Sequence, residues 1–328
     1  MQDLPYRDLN GYLRRRFGER VQKITLDAGL TCPNRDGRVG QGGCLYCNAR
    51  GSGTGAWSRG LSVSQQMLEG RARLGQRYGA QKFIAYFQSF TNTYAPLEHL
   101  RALYQEALAC PGVVGLSIGT RPDCLSDAVL DLLAGLQKNY LVWLELGLQS
   151  AHDDTLKRLN RGHDVSCFTD AVARAAARGL ETVAHVILGL PGEGPGETAA
   201  TAAYLAGLPL QGVKIHLLYV TRDSALASLY HGGAYQCLTV AEYVSLVVDF
   251  LELLPPQMVI HRLTGDPHPG ELLAPEWCLD KSRVLNLIKT EFARRGSRQG
   301  SRWQPRVGPP RPGPGPQLQL DLGKNEVT

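Results

Sequence analysis

The sequence predicts an α/β fold: a partial, TIM-like (β/α)6 barrel with a small C-terminal α/β extension and a disordered tail. Strand-patterned segments alternate with helical ones about every thirty residues, which argues for parallel βαβ units. Six such strands are too few for a closed eight-stranded barrel, so one side is expected to stand open. Along several strands one face is apolar and the other carries Glu, Gln, His or Lys, as a wet or ligand-filled lumen requires.

Residues 1–20 carry a helical pattern with Arg14, Arg15, Arg16 and Arg20, read as a solvated face more readily than as a nucleic-acid contact. Residues 21–30 alternate and form the first strand. A helix is expected near 62–78, then strand 82–89, helix 96–109, strand 113–120 and helix 126–138. Strand 141–150 leads to a helical pair within 152–179, strand 182–190 to helix 196–207, and strand 212–220 closes the series. Helix 239–254, a short strand near 258–263 and helix 281–295 follow. From 296 onward Gly and Pro interrupt every regular pattern, so disorder is expected. The organisation reads as a helical segment (1–20), a barrel core (21–262), an extension (263–295) and a basic tail (296–328).

The 328 residues are 43% apolar, enough for a full core. No apolar run is long enough to cross a membrane. Asp3 and Asp8 near the start argue against a signal or transit peptide, so a cytoplasmic location is expected. The net charge is +5. Without the six arginines at 294, 295, 298, 302, 306 and 311, the balance is 29 basic residues against 30 acidic. The basic excess therefore sits in the tail, as a tether to phosphate backbones or as a solubilising end.

Alternation also nominates site residues. In strand 141–150, Val142, Leu144, Leu146 and Leu148 oppose Trp143, Glu145, Gly147 and Gln149. Lys23, Thr25 and Asp27 oppose Ile24 and Leu26; His185 opposes Ala184, Val186 and Leu188; Lys214 and His216 oppose Val213, Ile215 and Leu217. Tyr86 and Gln88 share a face with Lys82. Leaving such groups unsatisfied in a dry core costs about 2–7 kcal/mol each. Glu145, His185, Lys214 and His216 are the catalytic candidates. Each has a plainer reading: His185 as a hydrogen-bonded structural histidine, Lys214 as a buried partner of Glu145.

After the first strand comes a loop with the spacing C-x11-C-x2-C, made by Cys32, Cys44 and Cys47. The two-residue gap aims Cys44 and Cys47 at one centre. Gly37, Gly40, Gly42 and Gly43 let backbone approach a bulky group. A closed zinc site wants four ligands, and so does a fully ligated iron–sulfur cube. Three cysteines leave one metal position open, which points to chemistry. A zinc knuckle with a remote fourth ligand is the plainer alternative, and a disulfide is disfavoured without a secretory signal. The other cysteines (Cys110, Cys124, Cys167, Cys237 and Cys278) are scattered and read as small buried hydrophobes.

A three-cysteine loop opening a series of strand–helix units resembles the radical S-adenosylmethionine (radical SAM) superfamily. The long first gap is a mark of the branch that holds the catalytic subunit of Elongator. The phrases TCPNRDG, GGCLYC, TRPD, LELGLQS, ILGLPGE and HRLTGD resemble a bacterial family in that branch, one without an acetyltransferase domain. The resemblance spans about residues 10–295.

It implies a 4Fe–4S cluster on Cys32, Cys44 and Cys47, with S-adenosylmethionine on the open iron and a deoxyadenosyl radical as the reactive product. It places cofactor contacts at Gln88, Ser89 and Asn92, where the family's GGE-like phrase is replaced. Further contacts are implied at Arg121 and Asp123, at Glu145 and Gln149 toward the ribose, and at Gly189 and Pro191 toward the adenine. Cys124 is the best-placed second hydrogen donor, with a buried structural thiol as the plainer reading. The implied partners are S-adenosylmethionine, tRNA modified at its wobble uridine, and an electron donor such as flavodoxin or ferredoxin. The alternatives are a radical SAM enzyme for a small metabolite or peptide, favoured by the nearly neutral body, and a non-enzymatic metal-binding scaffold.

Overall fold

In the computed structural model, residues 4–48, 51, 56 and 59–305 are described. The core is a seven-stranded parallel sheet in sequential order, flanked by helices on its outer face. Its strands are β1 (Val21–Leu26), β2 (Lys82–Phe87), β3 (Val113–Thr120), β4 (Leu141–Gln149), β5 (Glu181–Leu188), β6 (Gly212–Leu217) and β8 (Val259–Leu263). A separate antiparallel pair joins β7 (Val220–Thr221) to β9 (Leu272–Ala274). The expected six strands become seven, because the short strand near 258–263 pairs with β6 in parallel. The expected strand 212–220 splits in two, and the first strand ends at Leu26.

Helices α1 (Leu9–Phe17), α2 (Val63–Tyr78), α3 (Leu97–Leu108), α4 (Asp127–Gln137), α5 (Asp153–Arg158), α6 (Val165–Ala177), α7 (Pro195–Ala206), α9 (Val240–Glu252) and α10 (Lys281–Arg295) fall close to the expected spans. Helix α8 (Ala225–His231) lies outside them. Local chemistry fixes several starts: Ser62 and Thr239 form reciprocal capping boxes with Gln65 and Glu242. Helix α1 ends on Gly18 and α2 on Gly79, each left-handed as a C-terminal cap requires.

Alternation sorts the strands as the sequence implies. Leu144, Leu146, Leu148, Val186, Val213 and Ile215 join one core with the helices. On the lumen side, α1 plugs the amino end of the strands: Leu13 packs with Val21, Leu141, Trp143 and Val183. The arginines of α1 therefore lie at the end of the barrel opposite the cysteine loop, and Arg16 pairs with Glu181.

The tail begins later than expected. Residues 296–305 are packed rather than disordered: Gln299 is buried and donates to the carbonyls of Pro255 and Met258 at 2.7 and 2.9 Å. Its backbone N–H donates to Pro5 O, and its side-chain oxygen accepts from Arg7 N. One amide side chain thus joins the segment at Arg7 to the turn that leads into β8, a pairing no local pattern announces. The remainder of the expected tail, 306–328, lies outside the described residues. No helix among the described residues is long and apolar enough to cross a membrane.

Candidate active site at the carboxyl ends of the strands

The cysteine loop leaves β1 and folds over the carboxyl end of the sheet. Cys44 is buried, and Cys32 and Cys47 are half-buried. Cys44 and Cys47 are joined by a backbone hydrogen bond from Cys47 N to Cys44 O at 2.9 Å, and their thiols act on each other's charge. The Arg161 guanidinium donates to Cys44 Sγ at 3.5 Å and Asn34 Nδ2 at 3.6 Å. A hydrogen bond from Cys47, with Arg161 acting against the effect of burial, holds the Cys44 thiol well below its ordinary range. The same hydrogen bond and burial push Cys47 well above it. Cys32 lies close enough to Arg121 to act on its charge. Among the described residues no three His, Cys, Asp or Glu side chains gather on one point as ligands of a single ion.

Around the loop is a ring of buried polar atoms without a hydrogen-bond partner among the described residues. They are Asn34 Oδ1, Ser89 Oγ, Asn92 Oδ1, Arg121 Nη1, Arg161 Nε and His163 Nε2. All come from segments that follow β1, β2, β3 and β4. Leaving such an atom unsatisfied costs about 1–3 kcal/mol, and native interiors pair nearly all of theirs. Six of the eleven such atoms among the described residues fall in this one region, which suits it to receive polar groups from elsewhere. Asn92 is positioned by hydrogen bonds from its N–H and Nδ2 to Gly119 O, at 3.1 and 2.8 Å. Arg121 is held by a bidentate pair with Asp123, both contacts at 2.8 Å.

Two backbone features sit in the same region. Gln149 has φ +78° where the β4–β5 register shifts. Strain of this kind in a non-glycine residue costs about 1–3 kcal/mol and clusters at functional sites. A Cβ at Gly147 would stand 2.6 Å from both Arg161 Nη2 and Gln149 Nε2, so the glycine leaves room for these two side-chain ends. Arg161 in turn donates to Gly147 O at 2.9 Å. Gly189 and Pro191 have their carbonyls engaged by Tyr235 Oη, at 2.9 Å, and by Arg158.

Deeper in the lumen, Glu145 is fully buried and gathers hydrogen-bond partners from four strands. Its Oε1 accepts from Lys23 Nζ at 2.5 Å and from Ser117 Oγ. Its Oε2 meets His185 Nε2 at 2.5 Å and Lys214 Nζ at 3.1 Å. His261 Nδ1 stands 3.5 Å from Lys23 Nζ, so β1 and β8, the two edges of the open sheet, meet through these side chains. Lys214 also donates to Tyr86 Oη. Burial opposes the ionised carboxyl, but Lys214 and Lys23 prevail and hold Glu145 well below the usual range. Burial pushes Lys214 down to about 7 against the pull of Glu145. Burial, with Lys214 adding to it, takes His185 down to about 4. His216 packs its ring 5.3 Å from that of His185, and burial keeps it neutral.

The structure thus brings Glu145, His185 and Lys214 together, with His216 beside them. It places Ser89, Asn92, Arg121 and Asp123 at the mouth, with Gln88 at the end of β2. Cys124 lies next to Asp123, and burial raises its thiol to about 12. Sequence reasoning puts Lys23 and Tyr86 on the lumen face without assigning them a role. It misses Ser117 and His261, although His261 lies within the HRLTGD phrase. Asn34, Arg161 and His163 have no periodic signal, because loops carry them.

The donor set fits the group that the cysteine loop suggests: three thiols, unsatisfied buried polar atoms beside them, and a glycine-lined approach. The model of the Radical SAM superfamily matches residues 34–205, and that of the Radical_SAM C-terminal domain matches 210–294. The protein YtqA of Bacillus subtilis is 43% identical over 299 residues, covering 91% of this chain and 93% of that protein. Protein YhcC of Escherichia coli is 39% identical over 303 residues, covering 90% and 96%. Human Elongator complex protein 3 is 30% identical over 158 residues, 47% of this chain and 28% of that protein. The solved archaeal Methanocaldococcus infernus Elp3 superposes with a TM-score of 0.64 at 17% identity, covering 85% of this chain and 64% of that one, which bears on the fold alone. With more than half of its length matched by the family model and relatives alike over nine-tenths of it, the chain belongs to the radical SAM superfamily, enzymes that work with a 4Fe–4S cluster and S-adenosylmethionine.

Proposed function

We propose that this radical SAM enzyme holds its cluster on Cys32, Cys44 and Cys47 and remodels the side chain on the wobble uridine of tRNA. The observation that carries the site assignment is the ring of unpartnered buried polar atoms beside those cysteines. When bound, the cluster supplies the electron that releases a deoxyadenosyl radical from S-adenosylmethionine. Arg161 and Asn34 position Cys44. Ser89, Asn92, Arg121 and Asp123 offer polar contacts to the methionine and ribose ends, with Gln88 and Gln149 beside them. Gly189 and Pro191 border the adenine end. Glu145, Lys214, His185 and His216 set the field in the lumen below. The loop encloses the site and keeps water from the reacting atoms.

The substrate half is supported by the identity with Elongator complex protein 3 and by the Elongator-like phrases. The near-neutral body favours a second reading, a small metabolite or peptide. Anaerobic reconstitution with iron and sulfide should give a brown protein that converts S-adenosylmethionine to deoxyadenosine with a flavodoxin or ferredoxin as donor. A colourless protein with stoichiometric zinc would overturn the chemistry. Mass spectrometry of tRNA nucleosides from a deletion strain decides the substrate: an altered wobble uridine supports tRNA, and an unchanged profile removes it.

A further inference from the structure

We propose that the cleft beside the cysteine loop is a phosphodiester subsite, which holds the RNA strand flanking the reacting nucleotide; this rests on the tRNA reading above. The cleft measures about 470 Å³ and is lined by Arg35, Arg158, Gln41, Asn48, Asn160 and Asp223, together with Gly42 to Leu45 and Cys47. Arg35 donates one N–H to Asn48 O at 2.7 Å, and Arg158 donates one to Pro191 O. Neither is in an ion pair with a carboxylate among the described residues. Each guanidinium is therefore held in place by a backbone carbonyl, which consumes little of its donor capacity and none of its charge. A planar fork of N–H donors fixed in this way suits a phosphate. Asp223 is the one carboxylate among the described lining residues. Arg35 is also stacked over Phe90, 5.2 Å from the ring centroid, which fixes its plane.

Location selects the ligand. Cys44 and Cys47 line this same cleft, so it adjoins the mouth where the reaction takes place. An enzyme that acts on a base must take it out of the stack, which sends the base inward and leaves its phosphates at the rim. The volume exceeds that of one phosphate, and Gln41 adds an amide group suited to ribose and base edges. The arginines of α1 cannot do this work, because they lie at the opposite end of the barrel.

The test uses the reconstituted full chain and a fluorescent total-tRNA probe, with affinity measured from 50 to 200 mM salt. Arg158→Gln and Arg35→Gln are each expected to weaken binding at least about tenfold at low salt. The salt slope should fall by about 0.7 for each phosphate that the variant no longer neutralises. Arg158→Lys, which keeps the charge, should retain most of the slope. Arg283→Gln, on α10, serves as a control with unchanged binding. Unchanged affinity and slope in Arg158→Gln, beside a wild type that binds tRNA, would overturn the subsite and leave the tRNA reading standing. A wild type that releases deoxyadenosine but binds no tRNA would remove that reading and the subsite with it. Variants that keep tRNA binding and lose flavodoxin binding would reassign the cleft to the electron donor. Melting temperatures of the variants establish that each is folded; should Arg35→Gln unfold, Arg158→Gln and Arg158→Lys decide alone.

Discussion

Glu145 Oε2 lies 3.1 Å from Lys214 Nζ, across the strand that separates β4 from β6, while the other carboxylate oxygen holds Lys23 from β1. One buried carboxylate thereby ties the first edge of the sheet to its far side. Glu145→Gln keeps the shape and leaves two buried ammonium groups without a counter-charge. Breaking a buried pair in this way costs about 3–5 kcal/mol. The expected outcome is a matching loss in urea-unfolding free energy at neutral pH. A loss under about 1 kcal/mol would mean that the lysines are compensated elsewhere.

His185 contributes to the acid side of the stability profile. Its folded pKa, about 4, lies below the ordinary histidine value of 6.5. The unfolded chain therefore binds a proton that the folded chain refuses. The contribution of His185 to stability is complete above 6.5 and is lost as pH falls from there through about 4. His185→Gln should flatten the stability curve in that window and leave the shape above pH 7 unchanged. Following the His185 ring protons by NMR should show no titration until pH nears 4.

Leu13, buried between α1 and the amino ends of β1, β4 and β5, anchors the plug of the barrel. Leu13→Ala should lower stability by about 2–5 kcal/mol through reduced burial and a residual cavity. Calorimetry on the full chain measures this directly. Iron loading of the folded variant should be normal, because the cysteine loop lies at the other end.

Ser89 presents a buried hydroxyl with no partner among the described residues. Ser89→Ala therefore removes no internal hydrogen bond and should leave stability within about 0.5 kcal/mol of wild type. Affinity for S-adenosylmethionine should drop about 3- to 10-fold, the worth of one hydrogen bond. Equilibrium binding to the reconstituted protein reads this out. Unchanged affinity would remove Ser89 from the cofactor site.

Arg161 bridges Cys44 Sγ and Gly147 O from a buried position. Arg161→Leu should reduce the iron and sulfide bound per chain, because Cys44 loses the group that positions it. Circular dichroism of the variant should still show the α/β fold. Full iron stoichiometry would assign Arg161 to packing alone.

Much of this is written in local pattern. Alternation along β4, β5 and β6 separates the helix-facing leucines and valines from Glu145, His185 and Lys214, because successive strand side chains must point to opposite faces. The C-x2-C spacing puts Cys44 against Cys47 because so short a turn leaves them nowhere else to go. What requires the folded chain is every pairing between residues distant in sequence. Lys23 and Glu145 meet only after the sheet curls, and Arg161 reaches Cys44 only because two loops converge over the strand ends. Gln299 joins the segment at Arg7 to the turn before β8 from a stretch whose composition signals disorder. Periodicity reports which face a side chain takes. The partner it finds there depends on curvature, register and loop paths, which the tertiary packing decides.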